Sequence, residues 1–124
     1  MKFFLIIMIF FCYLNSGCSQ NFGPGYSFEL FKNTPNWELA KAVKNENEKE
    51  IIKLIKQKKV DINLQEPHFG NTLLLLAIGN DKLIATKVLL EAGADVNIAD
   101  AENNKPIHEA TRFINLKKNS FDII

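Results

Sequence analysis

Apolar and polar positions divide the chain into three stretches. After a short basic start, Met1-Lys2, the run Phe3 to Tyr13 is an apolar stretch of 11 residues. Residues 19–33, SQNFGPGYSFELFKN, mix polar side chains with aromatics, and Gly23-Pro24-Gly25 breaks any regular element. From about residue 34 the apolar positions recur at helical spacing. Ile51, Ile52, Leu54 and Ile55 form one stripe, and Leu83, Ile84, Val88, Leu89 and Leu90 form another. Between them, Leu73 to Ile78 is so apolar that it predicts a helix buried on most sides. Thr72 is placed to cap that helix, and Pro106 suits the first position of a later one, where its missing N–H costs nothing. Gly93 stops the second stripe as a residue that accepts a left-handed cap. Lys59 stands at the matching place one unit earlier, which predicts a weaker cap. The fold class is all-α.

The elements repeat. Ala85 to Asn97 follows Ile51 to Asn63 at a spacing of 34, with Asp61 on Asp95, Ile62 on Val96 and Asn63 on Asn97. Gly70-Asn71-Thr72-Leu73-Leu74-Leu75-Leu76-Ala77 falls on Asn103-Asn104-Lys105-Pro106-Ile107-His108-Glu109-Ala110 at a spacing of 33. A turn and two helices every 33–34 residues is the signature of a stacked repeat architecture.

Glu91-Ala92-Gly93-Ala94-Asp95-Val96-Asn97-Ile98-Ala99-Asp100 resembles the end of an ankyrin repeat, and Gly70-Asn71-Thr72-Leu73-Leu74 and Lys105 to Ala110 resemble the opening of one. The resemblance covers residues 34–124 and implies a solenoid of helix-turn-helix units joined by β-hairpin loops. About two and a half repeats are expected, over 34–66, 67–99 and 100–124. Leu73 and Leu75 replace the motif's proline and histidine, and an extra residue near Glu66-Pro67-His68-Phe69 lengthens one hairpin. Phe121-Asp122-Ile123-Ile124 matches Lys49-Glu50-Ile51-Ile52, so the third unit is expected to end inside its second helix. This reads as a truncated array; the alternative is an improvised cap of Phe113, Ile114 and Leu116.

The N-terminus adds a destination. A basic start, a short apolar run and then small residues predict a secretory signal peptide over residues 1–17, since a membrane span needs roughly 18–20 apolar residues. Ser16-Gly17-Cys18 resembles the lipobox of bacterial lipoproteins, although Asn15 stands where an apolar residue is usual. The resemblance implies lipidation of Cys18, which becomes the new N-terminus, with 18–33 as a flexible tether. Phe28, Leu30 and Phe31 are the side chains able to fold back onto the first repeat. No cysteine follows Cys18 to pair with it in an oxidising compartment. Acyl chains contribute about 0.8 kcal/mol per buried CH₂, and two hold stably. The expected location is the bacterial cell envelope, or the periplasm or exterior if Cys18 is merely near an ordinary cleavage site.

Composition removes other classes. With 15 basic and 14 acidic residues in 124, there is no cationic excess for phosphate neutralisation, and nucleic acid is excluded as a partner. An apolar fraction of 47% excludes a disordered tail. No nucleophile, base and orienting group can be assembled, so no enzyme, cofactor, metal or small-molecule substrate is expected. Of the two histidines, His108 occupies the motif position that braces the turn in ankyrin repeats, and His68 lies on the longer hairpin. The lysines at 53, 56, 58 and 59 read as a solvated helix end.

Function is therefore expected from surface, as a monomer binding another protein and tethered to the membrane through Cys18. By resemblance, the contact positions are Pro67, His68, Phe69, Asn71, Gly79 and Asn80 in the second unit. In the third they are Ala101, Glu102, Asn104, Arg112 and Phe113. Alternatives are an inhibitor or immunity-type protein neutralising an envelope toxin or enzyme, or a non-functional fragment of a longer repeat protein.

Overall fold

The computed structural model describes residues 24–58 and 60–111. Among them, two short 3₁₀ turns, Pro24–Tyr26 and Phe28–Phe31, precede the helices α1 (Trp37–Lys44), α2 (Glu48–Lys58), α3 (Leu73–Gly79) and α4 (Leu83–Glu91). The described part of a further helix, α5, is 106–111, with Pro106 at its first position. Helix α1 packs on α2 and α3 on α4; α1 also meets α3, and α2 meets α4. Two helical layers result, one made of each unit's first helix and one of its second. The core lies between them and centres on α3, whose Leu73, Leu74, Leu75, Leu76 and Ala77 are all buried.

Three helices end in the same way. Asn47, Lys82 and Ala94 each donate their N–H to a carbonyl five residues back, on Ala42, Ala77 and Leu89, at 3.0, 2.8 and 3.0 Å. The residue before each donor is left-handed: Glu46 at φ 52°, Asp81 at φ 56° and Gly93 at φ 92°. This closure satisfies carbonyls that a helix end leaves unpaired. Glycine was the expected device at position 93; in the two tight turns between first and second helices, Glu46 and Asp81 take the same conformation without it.

Thr72 caps α3 as expected, its hydroxyl accepting from Leu75 N–H at 3.2 Å. Thr72 is buried, so that donor has no water to turn to. Thr72→Ala is expected to cost about 1 kcal/mol, within the 0.5–2 range of lost caps, read as a lower urea midpoint at unchanged slope.

Three expectations change. Residues 24–33 are not a loose tether: Phe28 and Phe31 are buried in the core cluster, Leu30 is half-buried, and the second 3₁₀ turn packs on α1. Burial of two phenylalanines outweighs the chain entropy that a tether would keep. In α4 the stripe is narrower than its apolar content suggests. Ala85, Val88 and Leu89 are buried, whereas Leu83, Ile84 and Leu90 are exposed at 63, 48 and 44%. One helical face holds only residues three to four apart, so neighbouring leucines must turn outward. The unit-joining loops, finally, contain no strand among the described residues; they are tight turns closed by main-chain bonds, Glu66 N–H to Asn71 O and Asp100 N–H to Asn104 O at 2.9 Å each, and by side chains. Lys59 lies outside the described residues, as do Cys18, Arg112, Phe113 and the whole signal-peptide and C-terminal segments.

Candidate functional site

The two loop tips are built on equivalent carboxylates. Glu66 is buried and receives three backbone N–H groups, from His68 at 2.7 Å, Phe69 at 2.9 Å and Asn71 at 3.0 Å. Asp100, its counterpart 34 residues on, receives Glu102 N–H at 2.9 Å and Asn104 N–H at 2.8 Å. The first loop has one residue more, and glutamate's extra methylene lets a single carboxylate span it. Gly70 at φ 72° and Asn103 at φ 64° then occupy matching left-handed positions. Glu66→Ala is expected to lose about 1–3 kcal/mol, because it strips partners from partly buried N–H groups. Amide exchange at His68, Phe69 and Asn71 should accelerate together, and an unchanged exchange rate at these three would contradict this account.

The tips are joined to each other. Ala101 donates its N–H to Phe69 O at 2.8 Å, and the Gln65 amide bridges Gly70 O at 2.8 Å and Ala99 O at 2.9 Å. Pro67, His68, Ala101 and Glu102 are consequently held as one exposed ridge.

Of the other expected contact positions, Asn71, Gly79 and Asn80 face a different occupant, the chain's own Gly25-Tyr26. Asn71 is buried and donates from Nδ2 to Gly25 O at 2.6 Å. Asn80, half-buried, donates from Nδ2 to Tyr26 O at 2.9 Å and to Leu76 O at 2.8 Å. The Tyr26 ring lies against Gly79 so closely that a β-carbon there would stand 2.6 Å from two ring carbons. The Tyr26 hydroxyl donates to Glu109 Oε1 on α5 at 3.0 Å. Beside this segment, Phe69, Asn71, Asp100, Glu102 and Asn104 line a cleft of about 250 Å³. Sequence reasoning placed Asn71, Gly79 and Asn80 on a free binding face; the fold brings them together beneath the N-terminal segment. It missed Tyr26 and Glu109, whose pairing spans 83 positions and leaves no local signal.

Chemistry is sparse here. His68 is exposed, and so is His108, whose hydrogen bonds among the described residues run through its main chain rather than a bracing ring nitrogen. No group of three or more His, Cys, Asp or Glu is placed to hold a metal ion among the described residues. On α1, the hydrogen bond from Lys41 holds the Glu38 carboxyl below its ordinary value, but the pair is solvent-screened. Among the described residues no helix is long and apolar enough to cross a membrane.

Paired helices stacked in two layers with tip loops along one edge define a helical repeat protein. The family model described as ankyrin repeats (3 copies) matches residues 39–123, and the chain belongs to that family. An ankyrin repeat protein of fowlpox virus (strain NVSL) is 34% identical over 64 residues, covering 52% of this chain and 19% of the viral one. The crystal structure of EF0377, an ankyrin repeat protein, superposes with a TM-score of 0.50 at 24% identity over 59% of this chain and 36% of that one. The latter likeness concerns the fold alone. The chain thus spans a minor part of either relative's length. Membership points to a protein–protein interaction module, and nothing in the comparisons points to catalysis.

Proposed function

We propose that this chain is a non-enzymatic protein-binding module, exported and held at a bacterial cell envelope by a lipid on Cys18, acting as a monomer. The observation that carries the binding role is the ridge of Pro67, His68, Ala101 and Glu102. It is exposed, yet fixed by the Glu66 and Asp100 turns and by the Ala101-to-Phe69 hydrogen bond. Rigid presentation lowers the ordering cost of association, which favours a protein partner over a mere solvated surface. The signal-like start and Ser16-Gly17-Cys18 support the anchor.

Affinity capture from bacterial membrane extracts tests the binding role. The full chain should retain one protein stoichiometrically, and His68→Ala with Glu102→Ala should lose it at an unchanged unfolding midpoint. Retention by that double variant would remove the ridge from the interface. Separately, Cys18→Ser should move the protein from the membrane to the soluble fraction; a parent chain already soluble would sink the anchor.

A further inference from the structure

We propose that the face formed by Asn71, Gly79, Asn80 and Glu109 is a recognition site for a glycine–tyrosine turn of a partner polypeptide, which this chain fills in cis with Gly25-Tyr26. The inference rests on reading the chain as a protein-binding module and names the ligand class of a second surface, apart from the exposed ridge. The contacts to the ring and its hydroxyl select tyrosine, and the others accept a peptide backbone with a small residue before it. The Asn71 and Asn80 amides take two successive main-chain carbonyls, at 2.6 and 2.9 Å, which any extended or turned backbone offers. Gly79, as the last residue of α3, gives a flat bed for an aromatic ring, with room for no side chain beneath it. Glu109 Oε1 receives a hydroxyl at 3.0 Å, at the distance a tyrosine reaches and a phenylalanine cannot satisfy. Gly25 lies over the Phe69 ring, where even a β-carbon would sit at 3.8 Å, so a small residue precedes the aromatic comfortably.

The cis ligand is arranged to be exchanged. Phe28 and Phe31 are buried and hold the segment's C-terminal side to the core, whereas Gly25 and Tyr26 are only half-buried at its outer end. A linked ligand competes at an effective concentration in the millimolar range, so an outside turn must displace it rather than find an empty site.

The test uses the full chain and the acetylated tetrapeptide amide Pro-Gly-Tyr-Ser, the sequence of residues 24–27. Titrated by NMR, the Tyr26→Ala chain should bind it saturably, with shifts at Asn71, Gly79 and Asn80. The parent chain should bind at least about tenfold more weakly, since its own tyrosine competes. Alanine in place of the peptide's tyrosine should abolish binding, and phenylalanine should weaken it roughly 2- to 10-fold through the lost hydroxyl bond. A second arm keeps the idea testable if Tyr26→Ala does not fold. Gly79→Ala adds a methyl under the ring and should speed chymotrypsin cleavage after Tyr26 at least tenfold, while circular dichroism retains the helices. Equal peptide affinity for parent and Tyr26→Ala chains, no binding to a folded Tyr26→Ala chain, or continued protection of Tyr26 in Gly79→Ala would overturn the proposal. The ridge variants leave Gly79 and Asn80 untouched, so failure of partner capture at the ridge and failure of peptide binding here are read separately.

Discussion

Phe31→Ala is expected to destabilise the domain by about 3–5 kcal/mol, the usual cost of truncating a buried phenylalanine. The residue lies in a stretch whose polar and glycine-rich composition suggests a linker, yet its side chain is completely buried against α1 in the same cluster as Leu39, Ala40 and Val43. Removal takes away apolar burial and leaves a void beside α1 at the edge of the first described repeat. Small domains have roughly 5 kcal/mol of total stability, so this change should leave the protein largely unfolded at room temperature. Equilibrium urea unfolding of the chain from Ser19 onward measures it. A loss below about 0.5 kcal/mol is what a tether would give, and would show that residues 24–33 do not belong to the domain.

Leu74→Ala and Leu89→Ala should each cost about 2–5 kcal/mol, with the spread set by how far neighbours collapse into the cavity. Both side chains are buried at 1% exposure or less, one on α3 and one on the α4 face that meets it. Leu83→Ala is the informative contrast. Leu83 is chemically the same and sits on the same helix as Leu89, but it is 63% exposed and should change stability by less than about 0.5 kcal/mol. If Leu83→Ala proves as damaging as Leu89→Ala, the outward face of α4 is covered by further structure, and the groove of about 270 Å³ beside it, bordered by Leu83, Leu90 and Ile107, is filled.

Much of the architecture was legible in the chain because it is local. A helix declares itself through residues three and four apart, so the stripe of α2, the apolar run of α3, the Thr72 cap, Pro106 at a helix start and the stop at Gly93 follow from neighbours in sequence. The repeat period and the one-residue insertion at Glu66 to Phe69 are comparisons of the chain with itself, and require no three-dimensional knowledge. The two carboxylate-built tips were half visible: the insertion pointed to the longer loop, but not to the Glu66 side chain as the group that closes it.

What only the tertiary structure decided is which apolar and polar groups find partners far along the chain. Gly25 and Tyr26 meet Asn71, Asn80 and Glu109 at separations of 46, 54 and 83 positions. No periodicity encodes such pairings, because burial is a property of what happens to lie alongside, and loop closure over such lengths adds little bias of its own. The same holds for α4, where apolar content marked five residues and packing buried only two of them, Val88 and Leu89. Pattern determined the helices, their caps and their repetition. Contact between distant segments determined that the N-terminal turn lies on the repeat face, because hydrogen bonds and apolar burial there act between groups that the backbone brings together only once the helices have stacked.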